Sequence, residues 1–171
     1  REVTRVVTPG TNTDIQSLDD RNNSFLMSIV FSLSRYGISV ADLTTGRFEV
    51  TECGSFDAMT DEISKFAPKE IICNKELLIT GFNIGLLRDK MGIAVNVLDD
   101  RYFTDENSRN VLFEHFRVKS MDELQLSGFP SGLLAAGSVI TYLKETQKTD
   151  LSNFIKIKSY FNSDFLLIDS S

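Results

Sequence analysis

The chain has 171 residues, 42% of them hydrophobic and 25% charged, a length and balance suited to one globular domain with an ordinary core. With 24 acidic residues against 18 lysines and arginines, its net charge is −6. It lacks the basic excess with which a self-sufficient nucleic-acid binder neutralises phosphates, and its apolar runs fall far short of the roughly 20 residues of a membrane span. Cys53 and Cys73 form no CxxC and have no histidine near them in sequence. They read as two buried thiols in a reduced, cytoplasmic setting, and no secretory signal is expected.

The opening Arg1-Glu2-Val3-Thr4-Arg5-Val6-Val7-Thr8 is strand-like and turns sharply at Pro9-Gly10, while the closing SDFLLIDSS stops just after an apolar run. Strand-like segments cut at both ends lead us to expect a piece of a longer polypeptide. From Ser24 to Leu33, SFLMSIVFSL carries an apolar residue at every odd position and mixes Leu26 and Val30 with Ser28 and Ser32 at the even ones. A period of two predicts a strand with one face fully buried and the other partly so. Ile38–Ala41 and Phe48–Val50 then bracket Thr44-Thr45-Gly46, a hairpin turn in which glycine is free to take positive φ. Three strands joined by short turns make an antiparallel meander.

After Gly54 the period changes. Ser55 suits the cap of a helix with Phe56, Met59, Ile63 and Phe66 at helical spacing, ended by Pro68. Glu70–Cys73 reads as a short strand, the stretch around Ile84–Leu87 as a helix ending at Gly92, and Ile93–Leu98 as a further strand. Three antiparallel strands followed by βα units predict an α/β fold, the plan of a ribonuclease H-like mixed five-stranded sheet flanked by helices. Thr104 heads another helix with Asp105 and Glu106 in its first turn, and Ser120-Met121-Asp122-Glu123 is a capping box. Pro130 opens a long helix, PSGLLAAGSVITYLKETQ, whose Ala135, Ala136 and Gly137 allow a close approach to a neighbour.

Such a sheet raises the question of a metal-dependent nuclease. Two-metal cleavage needs several converging carboxylates, one of them usually on the first strand, and SFLMSIVFSL contains no acid. Asp42 reads instead as an Asx-type support of the Thr44-Thr45-Gly46 turn, and Asp99-Asp100 as a solvated loop. No GxxxxGK[ST] or GxGxxG motif is present. His115, the single histidine, lies beside Leu112, Phe113 and Phe116 and reads as a core-edge residue rather than a base. No catalytic residue and no metal ligand is assigned.

TRVVTPGT at the start, GISVADLTTGRFEVTE in the meander, GLLAAGSVITYLKETQKTDLSNF near the end and the closing SDFLLIDSS together resemble the MutS family of DNA mismatch-repair proteins. The match runs in order over most of the chain and is weaker over 54–126. The resemblance implies the family's connector domain, domain II, with residues 1–20 entering from the mismatch-reading domain, 21–160 forming the connector and 161–171 passing into the core and lever region. It further implies a cytoplasmic parent that binds mismatched DNA and ATP with Mg through other domains, forms a homodimer and acts with MutL. The family's Gly-x-Phe-x-Glu mismatch wedge is absent: Gly46-Arg47-Phe48-Glu49 has its acid one place too early. With no wedge and a net charge of −6, mismatch binding by these 171 residues alone is not expected, and with no acid on the first strand neither is metal-dependent ribonuclease H-like cleavage. For MutL docking, Asn107, Asn110, Glu114 and Arg117 share one face of the helix after Thr104, with Val111 at its edge. The alternative is a domain that only spaces its neighbours.

Overall fold

The computed structural model describes residues 24–147 and 150–162. The segment around Pro9-Gly10 and the closing SDFLLIDSS lie outside the described residues. Strands β1 (Leu26–Ser32), β2 (Arg35–Asp42) and β3 (Arg47–Cys53) form the antiparallel meander. On the far side of β1 come β4 (Glu70–Cys73) and then β5 (Ala94–Val97), both parallel to it. Helices α1 (Phe56–Phe66), α2 (Glu76–Ile79) and α3 (Ile84–Met91) make the crossovers. A 3-10 turn over Asp100–Phe103 leads to α4 (Asp105–Phe116), α5 (Met121–Leu124) and the long α6 (Pro130–Thr146).

The sheet has six strands rather than five. β6 (Lys158–Ser159) pairs parallel to β3 through Glu49↔Lys158 and Val50↔Ser159, giving the order β5-β4-β1-β2-β3-β6. Two residues carry no readable period. This strand exists because the following Tyr160 donates its N–H to Val50 O at 3.0 Å and accepts from Thr51 Oγ1 at 2.7 Å. The four-residue α2 and the 3-10 turn are likewise too short to show a period.

β1 starts at Leu26, and Leu33 belongs to the turn rather than to a strand face. Both faces of β1 are buried, where one was expected to be partly open. Met27 and Ile29 join a core with α1 and α3, while Leu26 and Val30 join a second core under α4 and α6. The reason is α6, which lies across the polar-looking face: Ser28 Oγ sits 2.6 Å from Ser138 Oγ, and Gly37, Ser39 and Ala41 continue that face along β2. Small residues there let a helix backbone come close. A Cβ on Gly37 would lie 2.2 Å from the Ser131 carbonyl.

The capping residues act as their types predict. Ser55 Oγ accepts from Ala58 N (3.1 Å), Thr104 Oγ1 from Asn107 N (3.0 Å) and Ser120 Oγ from Glu123 N (3.3 Å). Phe56, grouped with the buried stripe of α1, is instead exposed at the rim, its ring edge-on to Tyr36.

Candidate docking surface

α4 packs on α6 so tightly that a Cβ on Gly137 would lie 2.5 Å from Ser108 Cα. That contact fixes the rotation of α4, with Ser108 and Leu112 buried. The face read as outward from 100° spacing is therefore narrower than expected. Asn107 is half-buried and donates from Nδ2 to Thr141 Oγ1 of α6 at 3.0 Å. Val111 is half-buried against the core. Asn110, Glu114 and Arg117 are exposed, Arg117 in the left-handed cap position (φ 59°) with its N–H on Phe113 O. A partner meeting α4 would meet these three.

The turn residues and His115 are structural. Asp42, 1% exposed, accepts Thr44 N at 2.9 Å through Oδ1 and Gly46 N at 2.8 Å through its carbonyl. Thr45 Oγ1 accepts Arg47 N at 3.4 Å. Gly46 adopts φ 82° with Asn153 O only 2.4 Å from where a Cβ would stand. His115 Nε2 lies 2.9 Å from Phe154 O, pinning the segment after α6. Phe48, the aromatic of the wedge-like GRFE, is 2% exposed between Phe116 and Phe154 and has no free face to stack on a base.

Three buried carboxylates escaped the sequence reading, because nothing local distinguishes them from surface acids. Glu52 on β3 pairs with Arg35 Nε at 3.0 Å and accepts the backbone N–H of Ser131 (2.6 Å) and Gly132 (3.0 Å) at the start of α6. Glu62 on α1 accepts the Tyr160 hydroxyl at 2.6 Å. Burial first, then this carboxylate, pushes the Tyr160 hydroxyl far above its ordinary range. Glu70 on β4 accepts from Asn96 Nδ2 at 2.8 Å and from the Tyr142 hydroxyl. Each is engaged with a protein donor. Among the described residues no group of three His, Cys, Asp or Glu is placed to hold a metal ion, and no helix is long and apolar enough to cross a membrane. Cys53 and Cys73 are buried thiols not joined in a disulfide, and burial pushes Cys73 up to about 12.

The sequence model of the family described as MutS domain II matches residues 24–155. The chain belongs to the MutS family. It is 43% identical over its whole length to the DNA mismatch repair protein MutS of Lachnoclostridium phytofermentans. It is 34% identical to the protein of the same name from Ruminiclostridium cellulolyticum, and 34% identical over 99% of its length to that from Acetivibrio thermocellus. It spans 18%, 20% and 19% of those three relatives, about a fifth of a MutS protein.

One exposed cluster of this MutS domain II ties the 3-10 turn to the end of α6. Arg101 Nη1 and Nη2 each reach a Glu145 carboxylate oxygen at 2.8 Å, and the Tyr102 hydroxyl donates to Glu145 Oε1 at 2.5 Å. The Arg101 guanidinium, helped by Tyr102, holds the Glu145 carboxyl at about 2, below its ordinary 4.5. Because the folded value lies below the unfolded one, whatever stability the cluster contributes is present above the ordinary carboxylate range and is lost as pH falls toward 2. Replacing Arg101 by alanine should move the Glu145 titration midpoint up toward 4.5, followed by NMR of the side-chain carboxyl carbon. A midpoint already near 4.5 in the unaltered chain would show that the fork does not form in solution.

Proposed function

We propose that this domain II is the connector of a MutS-type DNA mismatch repair protein, relaying the state of a mismatch-reading domain to the lever and ATPase domains. The chain's own chemistry is mechanical. The observation that carries this reading is how the segment leading out of the domain is stitched to the fold. Tyr160 is bonded to β3 on both sides and to Glu62 of α1, Phe161 stacks on Phe129 at 5.4 Å just ahead of α6, and Asn162 Nδ2 reaches Glu52 O at 3.2 Å. A displacement applied there would act on β3, beside the edge strand β6, and through Glu52 and Phe129 on the start of α6. The parent would bind mismatched DNA and, with Mg, ATP through its other domains. It would act in the cytoplasm, as a homodimer.

On this reading a MutL-type partner docks on the exposed Asn110, Glu114 and Arg117 of α4. The test is made in the full-length parent. Asn110→Arg combined with Glu114→Arg should lower MutL affinity by about tenfold or more while leaving the fold intact, as expected for steric and charge mismatch at a contact. Unchanged affinity in a correctly folded parent would favour a domain that only spaces its neighbours.

A further inference from the structure

The two-residue turn between β1 and β2 is built from Leu33 and Ser34, both at positive φ (57° and 62°). Positive φ at both central residues matches the twist of a hairpin, and the position favours Asn-Gly; a leucine there is held against its preference. The tip is nonetheless anchored from three sides. Asn74, 5% exposed, accepts Phe31 N and donates to Phe31 O, both at 3.1 Å. Ser131 Oγ donates to Ser32 O at 2.7 Å, and Arg35 Nε reaches Glu52 at 3.0 Å. The result is a leucine 69% exposed on a rigid mount. It stands over a cleft of about 460 Å³ at the carboxyl ends of β1 and β4, floored by Val30, Phe103 and Leu134 and edged by Glu76 and Asp100.

From this geometry we infer that the Leu33 cleft is a docking site for a segment of a partner protein that inserts one apolar side chain and flanks it with lysine or arginine. A large side chain presented on a strained, pre-organised turn costs little ordering entropy on binding, the property of an interface anchor. Charge selects the occupant. Glu76 and Asp100 are the charged side chains of the lining, Glu76 makes no ion pair among the described residues, and Lys75 is paired only loosely with Asp100, 3.5 Å apart with both side chains mostly exposed. The nearby Arg101 is committed to Glu145 and Asp99, outside the lining. The site does not depend on the α4 face, and a partner held only at Asn110, Glu114 and Arg117 would not sense it.

The test uses the 171-residue chain and an immobilised library of 12-residue peptides. Each peptide carries one Leu, Ile, Met or Phe between two Lys or Arg, alongside matched peptides with Glu in place of the basic residues. Basic peptides should bind in a salt-sensitive manner and their acidic counterparts should not. Leu33→Gly should weaken binding about thirtyfold, the loss of one anchor side chain. The same change removes the backbone strain, so its melting temperature should rise by about 2–4 °C and unfolding cannot explain the loss. Glu76→Lys with Asp100→Lys should reverse the charge preference. Equal binding of basic and acidic peptides, or full binding by Leu33→Gly, would overturn the proposal. So would Leu33-dependent self-association in sedimentation velocity, which would make a second copy the occupant.

Discussion

Gly37→Ala is expected to destabilise the chain by about 3 kcal/mol, the upper range for over-packing a core. Its new methyl would stand 2.2 Å from both the carbonyl carbon and oxygen of Ser131 and 2.6 Å from Gly132 N, all of them backbone atoms of α6. A side chain in the way could swing aside; a helix backbone has to move as a body. That motion would strain the Glu52 bonds at its start and the Ser28–Ser138 contact further along. Alanine does gain about 0.5–1 kcal/mol over glycine in a strand, but the clash is larger and decides the sign. A urea titration would report it as a lower midpoint with unchanged slope. Gly85→Ala on α3, where a Cβ would meet its nearest neighbour at an ordinary 3.5 Å, should be neutral or slightly stabilising in the same assay. If Gly37→Ala were as mild as Gly85→Ala, α6 would not lie as close to β2 as described.

Removing the Glu52 carboxylate should cost about as much. Glu52→Ala breaks a nearly buried ion pair with Arg35, a change that typically costs about 3–5 kcal/mol. It also strips the start of α6 of its acceptor. Phe129 offers no side-chain cap there, and Pro130 has no N–H, so the Ser131 and Gly132 amides depend on Glu52 Oε2. Glu52→Gln keeps an acceptor oxygen and loses only the charge, so its loss should be clearly the smaller of the two by chemical denaturation. Equal losses would mean that the cap contributes nothing beyond the ion pair.

The elements with a long or well-marked pattern were legible in the residues. The meander, α1, α3, α4 and α6 all stand where period and capping residues put them, because an apolar stripe and a Ser, Thr or Pro at the right place act over a few neighbours only. Family membership was legible too, since GISVADLTTGRFEVTE and GLLAAGSVITYLKETQKTDLSNF hold their spacing whatever the fold does between them. The docking face was only partly so. The 100° rule placed Asn107 on an outward surface with Val111 at its edge, and it has no means of knowing that α4 meets α6 closely at Ser108 and Gly137, which brings Asn107 onto Thr141 of α6 and Val111 against the core.

Local sequence therefore settled which segments curl, which extend and to which family the chain belongs. Contacts between distant residues settled the rest. Glu52 caps a helix about 80 positions away, β6 becomes a strand only because Val50 and Thr51 receive Tyr160, and Leu33 is held out on a turn that its own residues would not choose. Propensity and amphipathic period are properties of neighbours along the chain. A buried carboxylate, a two-residue strand and a strained turn take their free energy from partners that only folding brings within 3 Å or so, at ordinary hydrogen-bond distance.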